Sequence, residues 1–348
     1  MTDKSKNIWY YADRYTPFID EPDRLTLNEG GVRSIEISEL NRELSSGSNI
    51  RRFIFKREDE NPTGSHKSRS LAYQVSYYKS KGHKTLIISS SGNAAMSAAA
   101  YCSLAGIKLI AFVDKTTDKA KVNEIKSTGQ AIMFSAKPIN FAKYASRKFD
   151  IPNLRPSHDD LSVEPYKSIA FELYDEFKDE VDAVFMFPTS ASSLIGVAKG
   201  YIQLRDELGL LAHPPKVVAV QTGSITSIAK QFGVSSDISE ESRAGRLGVK
   251  VTRRTKEAVA HIKKLNGTAL TVTTDEIEKA HGILNRYGIV TSMEGCATLA
   301  GAIKMPEIEN IVCILSGKAY AITEHDVLGN EYFAESYTDV VDIVGKIR

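Results

Sequence analysis

Residues 58–70 read EDENPTGSHKSRS, and they are the most informative segment of the chain. A run of β-branched and aromatic residues at 50–55 comes directly before it and predicts a buried strand. The Asn-Pro and Thr-Gly pairs favour a turn. Ser65 is suited to cap a helix that carries apolar residues at helical spacing over 71–78. The stretch therefore predicts a strand, a turn and a helix in succession.

This arrangement places Lys67 in the first turn of the helix. The N-terminal end of a helix carries partial positive charge, which is unfavourable for a cation. The position therefore favours the neutral amine, which is a nucleophile that adds to carbonyl groups. Without further context, a solvated lysine would be the more common interpretation.

The stretch resembles the lysine motif of one enzyme family, the threonine synthase branch of the fold-type II (tryptophan synthase β-like) pyridoxal phosphate enzymes. That motif reads roughly E-x-x-N-P-T-G-S-F-K-D-R. The matching residues are Glu58, Asn61, Pro62, Thr63, Gly64, Ser65, Lys67 and Arg69. His66 and Ser68 stand where the family has Phe and Asp. The resemblance implies that Lys67 is the catalytic residue and binds the cofactor, pyridoxal 5'-phosphate.

Length, charge and cysteine usage restrict the class of protein. The 348 residues suffice for two domains, and a net charge of +2 gives no strong attraction to nucleic acid or anionic membranes. We find no apolar run of the roughly 18 residues that a membrane span needs, and no signal-peptide core at the start. Three widely spaced cysteines predict buried, reduced thiols. We therefore expect a cytoplasmic protein with no nucleic-acid or membrane partner and no metal.

The second informative segment is 85–113. It predicts a buried strand, a polar turn at 89–93, an Ala-rich helix and another strand. Two strands joined by a helix pair in parallel. Binding and catalytic groups gather at the carboxyl ends of such strands, which is where this turn lies.

This turn, Ser-Ser-Gly-Asn followed by two alanines, resembles the substrate loop of the same family. The resemblance implies that Ser90, Ser91 and Gly92 bind the carboxylate of an amino acid substrate. It also implies that Asn93 binds substrate and reaches the cofactor's 3-hydroxyl oxygen. Hydroxyls and main-chain N–H groups suit a carboxylate. Taken alone, an ordinary capped turn would be the more common interpretation.

A later strand at 181–187 runs into a loop of small residues and then a helix. Such a loop is a ready phosphate site. In the family this loop reads roughly P-x-G-x-G-T-L-x-x-G and binds the cofactor phosphate. The residues that the resemblance assigns to the phosphate are Thr189, Ser190, Ala191, Ser192 and Ser193. Ser190 and Ser192 replace the two glycines, and their Cβ atoms restrict positive φ. The phosphate loop is therefore either rebuilt or weakened.

The last buried strand, 310–315, ends at Ser316. In the family a Ser or Thr at this place forms a hydrogen bond with the cofactor's pyridine nitrogen. A neutral hydroxyl does not enforce protonation of that nitrogen as an aspartate does. This suits elimination and replacement at the β or γ carbon more than transamination.

Taken together, the matches follow the family's order along the chain. They imply an α/β, two-domain fold-type II structure with mostly parallel sheets. Residues 1–84 and 161–348 would form the large cofactor-binding domain, and residues 85–160 an inserted, smaller substrate-binding domain. The resemblance also implies a homodimer.

One departure affects the substrate. In the family an N-S-x-N-P-Y-R segment holds the substrate phosphate through Asn, Ser and Arg. Counting back from Lys167 without gaps places Pro156, Ser157 and Ser162 at those positions, with Arg155 one residue away. Of these three positions only Ser157 matches the family, and we expect it to bind substrate. The family's arginine, a main anchor for the phosphate, is missing.

Three functions follow from this. The first is a pyridoxal phosphate-dependent lyase that eliminates or replaces a group on an amino acid other than phosphohomoserine. The second is a true threonine synthase with a rebuilt phosphate pocket. The third is a non-catalytic paralogue.

Overall fold

A computed structural model describes residues 6–45, 51–90, 92–224, 226–234, 253–320 and 327–348. Strands and helices alternate along these ranges. The strands are β1 (Ser34–Glu36), β2 (Arg52–Lys56), β3 (Thr85–Ser89), β4 (Lys108–Asp114), β5 (Ala131–Ser135), β6 (Ala183–Met186), β7 (Lys216–Thr222), β8 (Thr268–Val272), β9 (Asn310–Ile314) and β10 (Glu331–Phe333). The helices are α1 (Ser38–Leu44), α2 (Lys67–Ser80), α3 (Asn93–Ala105), α4 (Lys119–Lys126), α5 (Pro138–Phe149), α6 (Lys167–Phe177), α7 (Ser192–Asp206), α8 (Thr255–Lys264), α9 (Thr274–Arg286), α10 (Met293–Ile303) and α11 (Tyr337–Ile347).

The chain divides into two compact units. The described residues of the first unit lie within Met1–Lys6, Gly30–Asn61 and Tyr166–Ala319. Those of the second lie within Asn7–Glu29, Pro62–Pro165 and Tyr320–Arg348.

The first unit is built on a six-stranded sheet in the order β1-β2-β9-β6-β7-β8. All neighbours are parallel except β1 and β2. Its central strands are buried on both faces, which explains their continuous apolar sequences. Because β9 lies between β2 and β6, the residues that follow these three strands lie at one edge of the sheet.

The second unit contains a fully parallel sheet in the order β10-β5-β4-β3. Beside β3, Asn153 forms a bridge with Ile87, and the main-chain N–H of Leu154 donates to the Ile87 carbonyl at 2.8 Å. This pairing carries residues 155–157 past the carboxyl end of β3. The α/β class with mostly parallel sheets is therefore confirmed.

The division into units differs from the domain boundaries drawn from the sequence. The predicted smaller domain, 85–160, lies inside the second unit, but residues 62–84 belong to that unit as well. Helix α2, which begins in this added segment, packs along α3. Four alanines of α3 are buried, Ala94, Ala95, Ala98 and Ala99, and their small side chains allow the close approach of the two helices. Lys67 therefore shares a unit with the predicted substrate loop.

A buried ion pair stabilises the first unit. Lys56 Nζ lies 2.9 Å from a Glu172 carboxylate oxygen, and both side chains are almost fully buried. The ammonium also donates to the Val32 carbonyl at 2.7 Å. The other carboxylate oxygen of Glu172 accepts the main-chain N–H of Gly31 at 3.0 Å. The pair thus joins β2, α6 and the glycine turn before β1.

The structure also bears on the cysteines and on membrane-spanning helices. The cysteines at 102, 296 and 313 are buried and free, as predicted. Within the described ranges, no helix has both the length and the apolar character that crossing a membrane requires.

Candidate active site

Lys67 is the first residue of α2, where the motif places it, and it is 7% exposed. Its main-chain N–H donates to the Ser65 hydroxyl at 3.0 Å, so Ser65 satisfies one of the N–H groups at the helix start. Gly64 has φ of +72°, a conformation that glycine adopts without strain. The Thr-Gly pair of the motif thus makes the turn that sets Lys67 at a helix N-terminus.

Three hydroxyl groups connect the start of α2 with the start of α3. Thr63 Oγ1 is hydrogen-bonded to Ser68 Oγ at 2.7 Å and to Ser97 Oγ at 2.6 Å. Ser97 Oγ in turn donates to the Asn93 carbonyl at 2.8 Å. Ser68, which replaces the family's Asp, is therefore part of a network that fixes Lys67 and Asn93 relative to each other.

The predicted substrate loop follows β3 and leads into α3. The main-chain N–H of Gly92 donates to the Ser90 hydroxyl at 3.3 Å. Asn93 is the first residue of α3, so the N–H groups of a helix N-terminus lie next to this loop. Such an end suits a carboxylate. Ser91 lies outside the described residues, and its predicted role stays a prediction.

Asn93 has a contact that the sequence motifs did not indicate. The Tyr320 hydroxyl donates to Asn93 Oδ1 at 3.1 Å across a sequence separation of 227 residues. The Lys121 ammonium lies 5.4 Å from the centroid of the Tyr320 ring. Tyr320 belongs to no motif and to no periodic pattern, so sequence reasoning had no signal for it.

Arg155 and Ser157 lie beyond the carboxyl end of β3. Arg155 Nη1 donates to the Ser89 carbonyl at 2.5 Å, and Arg155 Nε donates to the Ser157 hydroxyl at 3.1 Å. Burial lowers the pKa of the Arg155 guanidinium from its ordinary value. The Ser162 hydroxyl donates to the Pro156 carbonyl at 2.9 Å and is fully buried. Of the three positions mapped to the family's phosphate anchors, Ser157 is thus the one beside the guanidinium.

The predicted phosphate loop connects β6 with α7. Its positive φ, +65°, falls on Ala191 and not on Ser190 or Ser192. The serines therefore need no left-handed conformation, and their Cβ atoms cause no backbone strain there. The Ser190 hydroxyl donates to Ser192 Oγ at 3.3 Å. Ser192 begins α7 and is buried together with Ser193, so a helix N-terminus and hydroxyl groups meet in this loop.

We expect Ala191→Gly to leave the free energy of unfolding within about 0.5 kcal/mol of the wild type. Relief of a left-handed conformation, which costs a non-glycine residue about 1–2 kcal/mol, is offset by the flexibility of glycine in the unfolded chain and by the loss of a buried methyl group, about 0.8 kcal/mol. The matched control is Ala198→Gly, a buried alanine inside α7, which should lower the free energy of unfolding by about 1.5–2 kcal/mol. Urea unfolding measures both. A loss for Ala191→Gly equal to that of the control would contradict the prediction.

Ser316 lies just beyond β9. Since Phe185 of β6 pairs with Cys313 of β9, Ser316 and the phosphate loop follow neighbouring parallel strands at one sheet edge. The Gly317 carbonyl accepts the Thr291 hydroxyl at 3.1 Å and the main-chain N–H of Ser292 at 2.8 Å. These contacts fix the turn after Ser316 to the start of α10.

Each unit by itself offers donors that suit one part of pyridoxal 5'-phosphate. In the second unit a nearly buried lysine amine suits the aldehyde, and the Asn93 amide suits the ring oxygen. In the first unit the N-terminus of α7, with serine hydroxyls, suits a phosphate dianion. Within the part of the chain that the structure describes, no group of three His, Cys, Asp or Glu side chains could hold a metal ion.

Curated relatives are similar over most of the chain. The threonine synthase of Methanocaldococcus jannaschii is 27% identical over 332 residues, covering 89% of this chain and 79% of the relative. The threonine synthase of Halalkalibacterium halodurans is 26% identical over 321 residues, covering 87% and 86%. The predicted threonine synthase branch is therefore confirmed.

Solved structures share the fold. Maize serine racemase superposes with a TM-score of 0.73 at 16% identity, covering 92% of this chain and 94% of that one. Threonine deaminase isoform 2 from Solanum lycopersicum gives 0.71 at 21% identity, covering 83% and 80%. At these identities the likeness shows the fold alone.

A family model described as "Pyridoxal-phosphate dependent enzyme" matches residues 27–317. This span includes the lysine motif, both loops and Ser316, and it confirms the predicted cofactor. The chain therefore belongs to the pyridoxal-phosphate dependent enzyme family.

Proposed function

We propose that this protein is a lyase that eliminates or replaces a group at the β or γ carbon of a substituted amino acid. We further propose that phosphohomoserine is not its preferred substrate. The neutral hydroxyl of Ser316 supports this reaction class, because it does not enforce protonation of the cofactor's pyridine nitrogen.

Lys67 is the residue that performs the proton transfers in this proposal. When bound, the cofactor supplies an electron sink that makes the substrate's Cα–H acidic. Lys67 would hold the cofactor's aldehyde carbon through its side-chain nitrogen. When free, its amine would be the general base and acid at Cα of the substrate. Its position at the start of α2, almost fully buried, supports this role.

The remaining predicted site residues bind and orient the cofactor and the substrate. Residues 189–193 bind the cofactor phosphate through hydroxyls and the N-terminus of α7, and Ser316 contacts the pyridine nitrogen. Asn93 donates to the cofactor's 3-hydroxyl oxygen. Residues 90–92 bind the substrate carboxylate, and Ser157 contacts the substrate side chain.

The contacts of Arg155 support the proposal that phosphohomoserine is not the preferred substrate. A phosphate is bound most tightly by two parallel N–H groups of one guanidinium edge. Both edges of Arg155 already have one nitrogen engaged, because Nε donates to Ser157 and Nη1 donates to Ser89. Two-pronged binding of a phosphate through the Nε edge would require breaking the contact with Ser157, and at the other edge Nη1 already has one of its two hydrogens on the Ser89 carbonyl. Arg155 is therefore better suited to holding the end of β3 than to replacing the family's arginine.

One observation favours a second function, a threonine synthase acting on phosphohomoserine. The partly buried charge of Arg155 forms no ion pair with a carboxylate among the described residues. Both curated relatives reported above are named threonine synthases. An uncompensated cation is stabilised by an anionic ligand, and a substrate phosphate would supply one.

Steady-state kinetics of Arg155→Ala separate these two functions. The comparison is threonine formation from phosphohomoserine against turnover of serine, threonine, acetylserine and phosphoserine. We expect a substrate other than phosphohomoserine to have the highest kcat/KM. We expect Arg155→Ala to reduce kcat/KM roughly equally for all substrates, by about 10-fold or more, because hydrogen bonds from a charged donor contribute about 1.5–3 kcal/mol.

The matched control is Arg147→Ala, which removes an exposed arginine of α5 and should leave kcat/KM unchanged for every substrate. If phosphohomoserine has the highest kcat/KM and Arg155→Ala abolishes only that reaction, the threonine synthase function is correct.

From the resemblance we also propose a homodimer with the amino acid as its small-molecule partner, and from the free, buried cysteines we propose a cytoplasmic location.

A further inference from the structure

We propose that Tyr320 is a positioning residue that fixes the orientation of the Asn93 amide, so that its nitrogen remains the donor for the cofactor. This inference rests on the proposed function, in which Asn93 contacts the cofactor's 3-hydroxyl oxygen. It adds a residue outside every motif of the family.

An asparagine side chain has two chemically different ends. The amide has an oxygen that only accepts and a nitrogen that only donates, and the two differ little in shape. The Tyr320 hydroxyl donates to Asn93 Oδ1 at 3.1 Å, so the nitrogen is the end of the amide that this bond leaves available. In the flipped amide Nδ2 would donate to the phenol oxygen, and Oδ1 would be the available end.

The cofactor's 3-oxygen makes the orientation matter. An oxygen that accepts hydrogen bonds needs a donor, and Asn93 Nδ2 is one. With Oδ1 turned towards it instead, two acceptor oxygens would face each other and the contact would be repulsive. The cofactor oxygen therefore favours the amide with Nδ2 towards it, and the Tyr320 hydroxyl holds Oδ1 at the other end of that amide.

Neighbouring contacts hold both partners of this hydrogen bond. The Lys121 ammonium lies 5.4 Å from the centroid of the Tyr320 ring, within the range of a cation–π contact. On the other side, the carbonyl of Asn93 accepts the Ser97 hydroxyl at 2.8 Å. Tyr320 and Asn93 are thus each restrained by a second contact in the same unit.

The test is cofactor binding to Tyr320→Phe, which removes only the hydroxyl. Pyridoxal 5'-phosphate is titrated into cofactor-free protein, and affinity and the absorbance spectrum are recorded. We expect Kd to rise about 2- to 12-fold, as for the loss of a hydrogen bond worth about 0.5–1.5 kcal/mol. We also expect the absorbance maximum to shift, because Asn93 contacts a ring oxygen. Tyr144→Phe, a partly buried tyrosine of the same unit, is the matched control and should change neither.

A double-mutant cycle with Asn93→Ala identifies the route of the effect. If Tyr320 acts through Asn93, Tyr320→Phe should change neither Kd nor the spectrum once Asn93 is alanine. The same rise in Kd in both backgrounds would overturn the proposal, as would an unchanged Kd and spectrum for Tyr320→Phe alone. An effect of Tyr320→Phe with no covalent attachment at Lys67 would instead refute the proposed function and leave the positioning role in place.

Discussion

Replacing Lys67 with alanine should reduce turnover by a factor on the order of 10³ or more and abolish covalent attachment of the cofactor. Loss of a proton-transferring group alone costs about 10²- to 10⁴-fold, and in the proposed function this lysine also forms the bond to the cofactor. Borohydride reduction of the wild-type protein, followed by peptide mapping, should find the pyridoxyl group on Lys67.

The control for this variant is Lys84→Ala, which removes an exposed lysine just before β3. It should retain the cofactor's absorbance band and full turnover. A pyridoxyl group on Lys79, Lys84 or Lys167 would refute the assignment of Lys67. A wild-type protein that binds no cofactor at all would support the non-catalytic paralogue.

Replacing Lys56 with methionine should lower the free energy of unfolding by about 3–5 kcal/mol. The substitution keeps most of the length of the side chain but leaves the Glu172 carboxylate buried without its cation, and a buried charge that loses its partner is costly by that amount. The Val32 carbonyl also loses its donor. Urea unfolding followed by far-ultraviolet circular dichroism measures the change.

Two further variants test whether burial of the ion pair causes this loss of stability. The exposed pair of Lys115 and Glu335 has the same separation of 2.9 Å. Lys115→Met should therefore cost under about 1 kcal/mol, as solvent-exposed pairs do. Adding Glu172→Gln to Lys56→Met should recover part of the loss, because the unpaired charge is then removed. Equal costs for Lys56→Met and Lys115→Met would show that burial does not matter here.

Features set by neighbouring residues could be predicted from the sequence. The turn at Asn61 to Gly64 and the helix start at Lys67 are determined by residues within one short stretch. The same holds for the strand, turn and helix around Asn93, where the turn residues and the alanines are contiguous. Local conformational preference and hydrophobic periodicity suffice at such places.

Contacts between distant segments could not be predicted. Arg155 reaches the Ser89 carbonyl across 66 residues because Asn153 forms a bridge beside β3, and no local pattern marks that bridge. Tyr320 reaches Asn93 in the same way. The family's glycines directed attention to Ser190 and Ser192, whereas the left-handed conformation falls on Ala191. The backbone of a loop depends on packing that a motif does not specify.

The two hydrogen bonds of Thr63 have a consequence for redesigning this enzyme. One hydroxyl contacts both Ser68 and Ser97, so no substitution at this position could release one helix start while keeping the other. A library that randomises Thr63 would therefore yield mostly inactive clones, even though Asn-Pro-Thr-Gly is a turn sequence, and turns usually tolerate substitution. Randomisation confined to residues 90–92 would leave this anchor intact. In the proposed function residues 90–92 bind the substrate, so new substrate preferences could be selected there without disturbing the contacts that support Lys67.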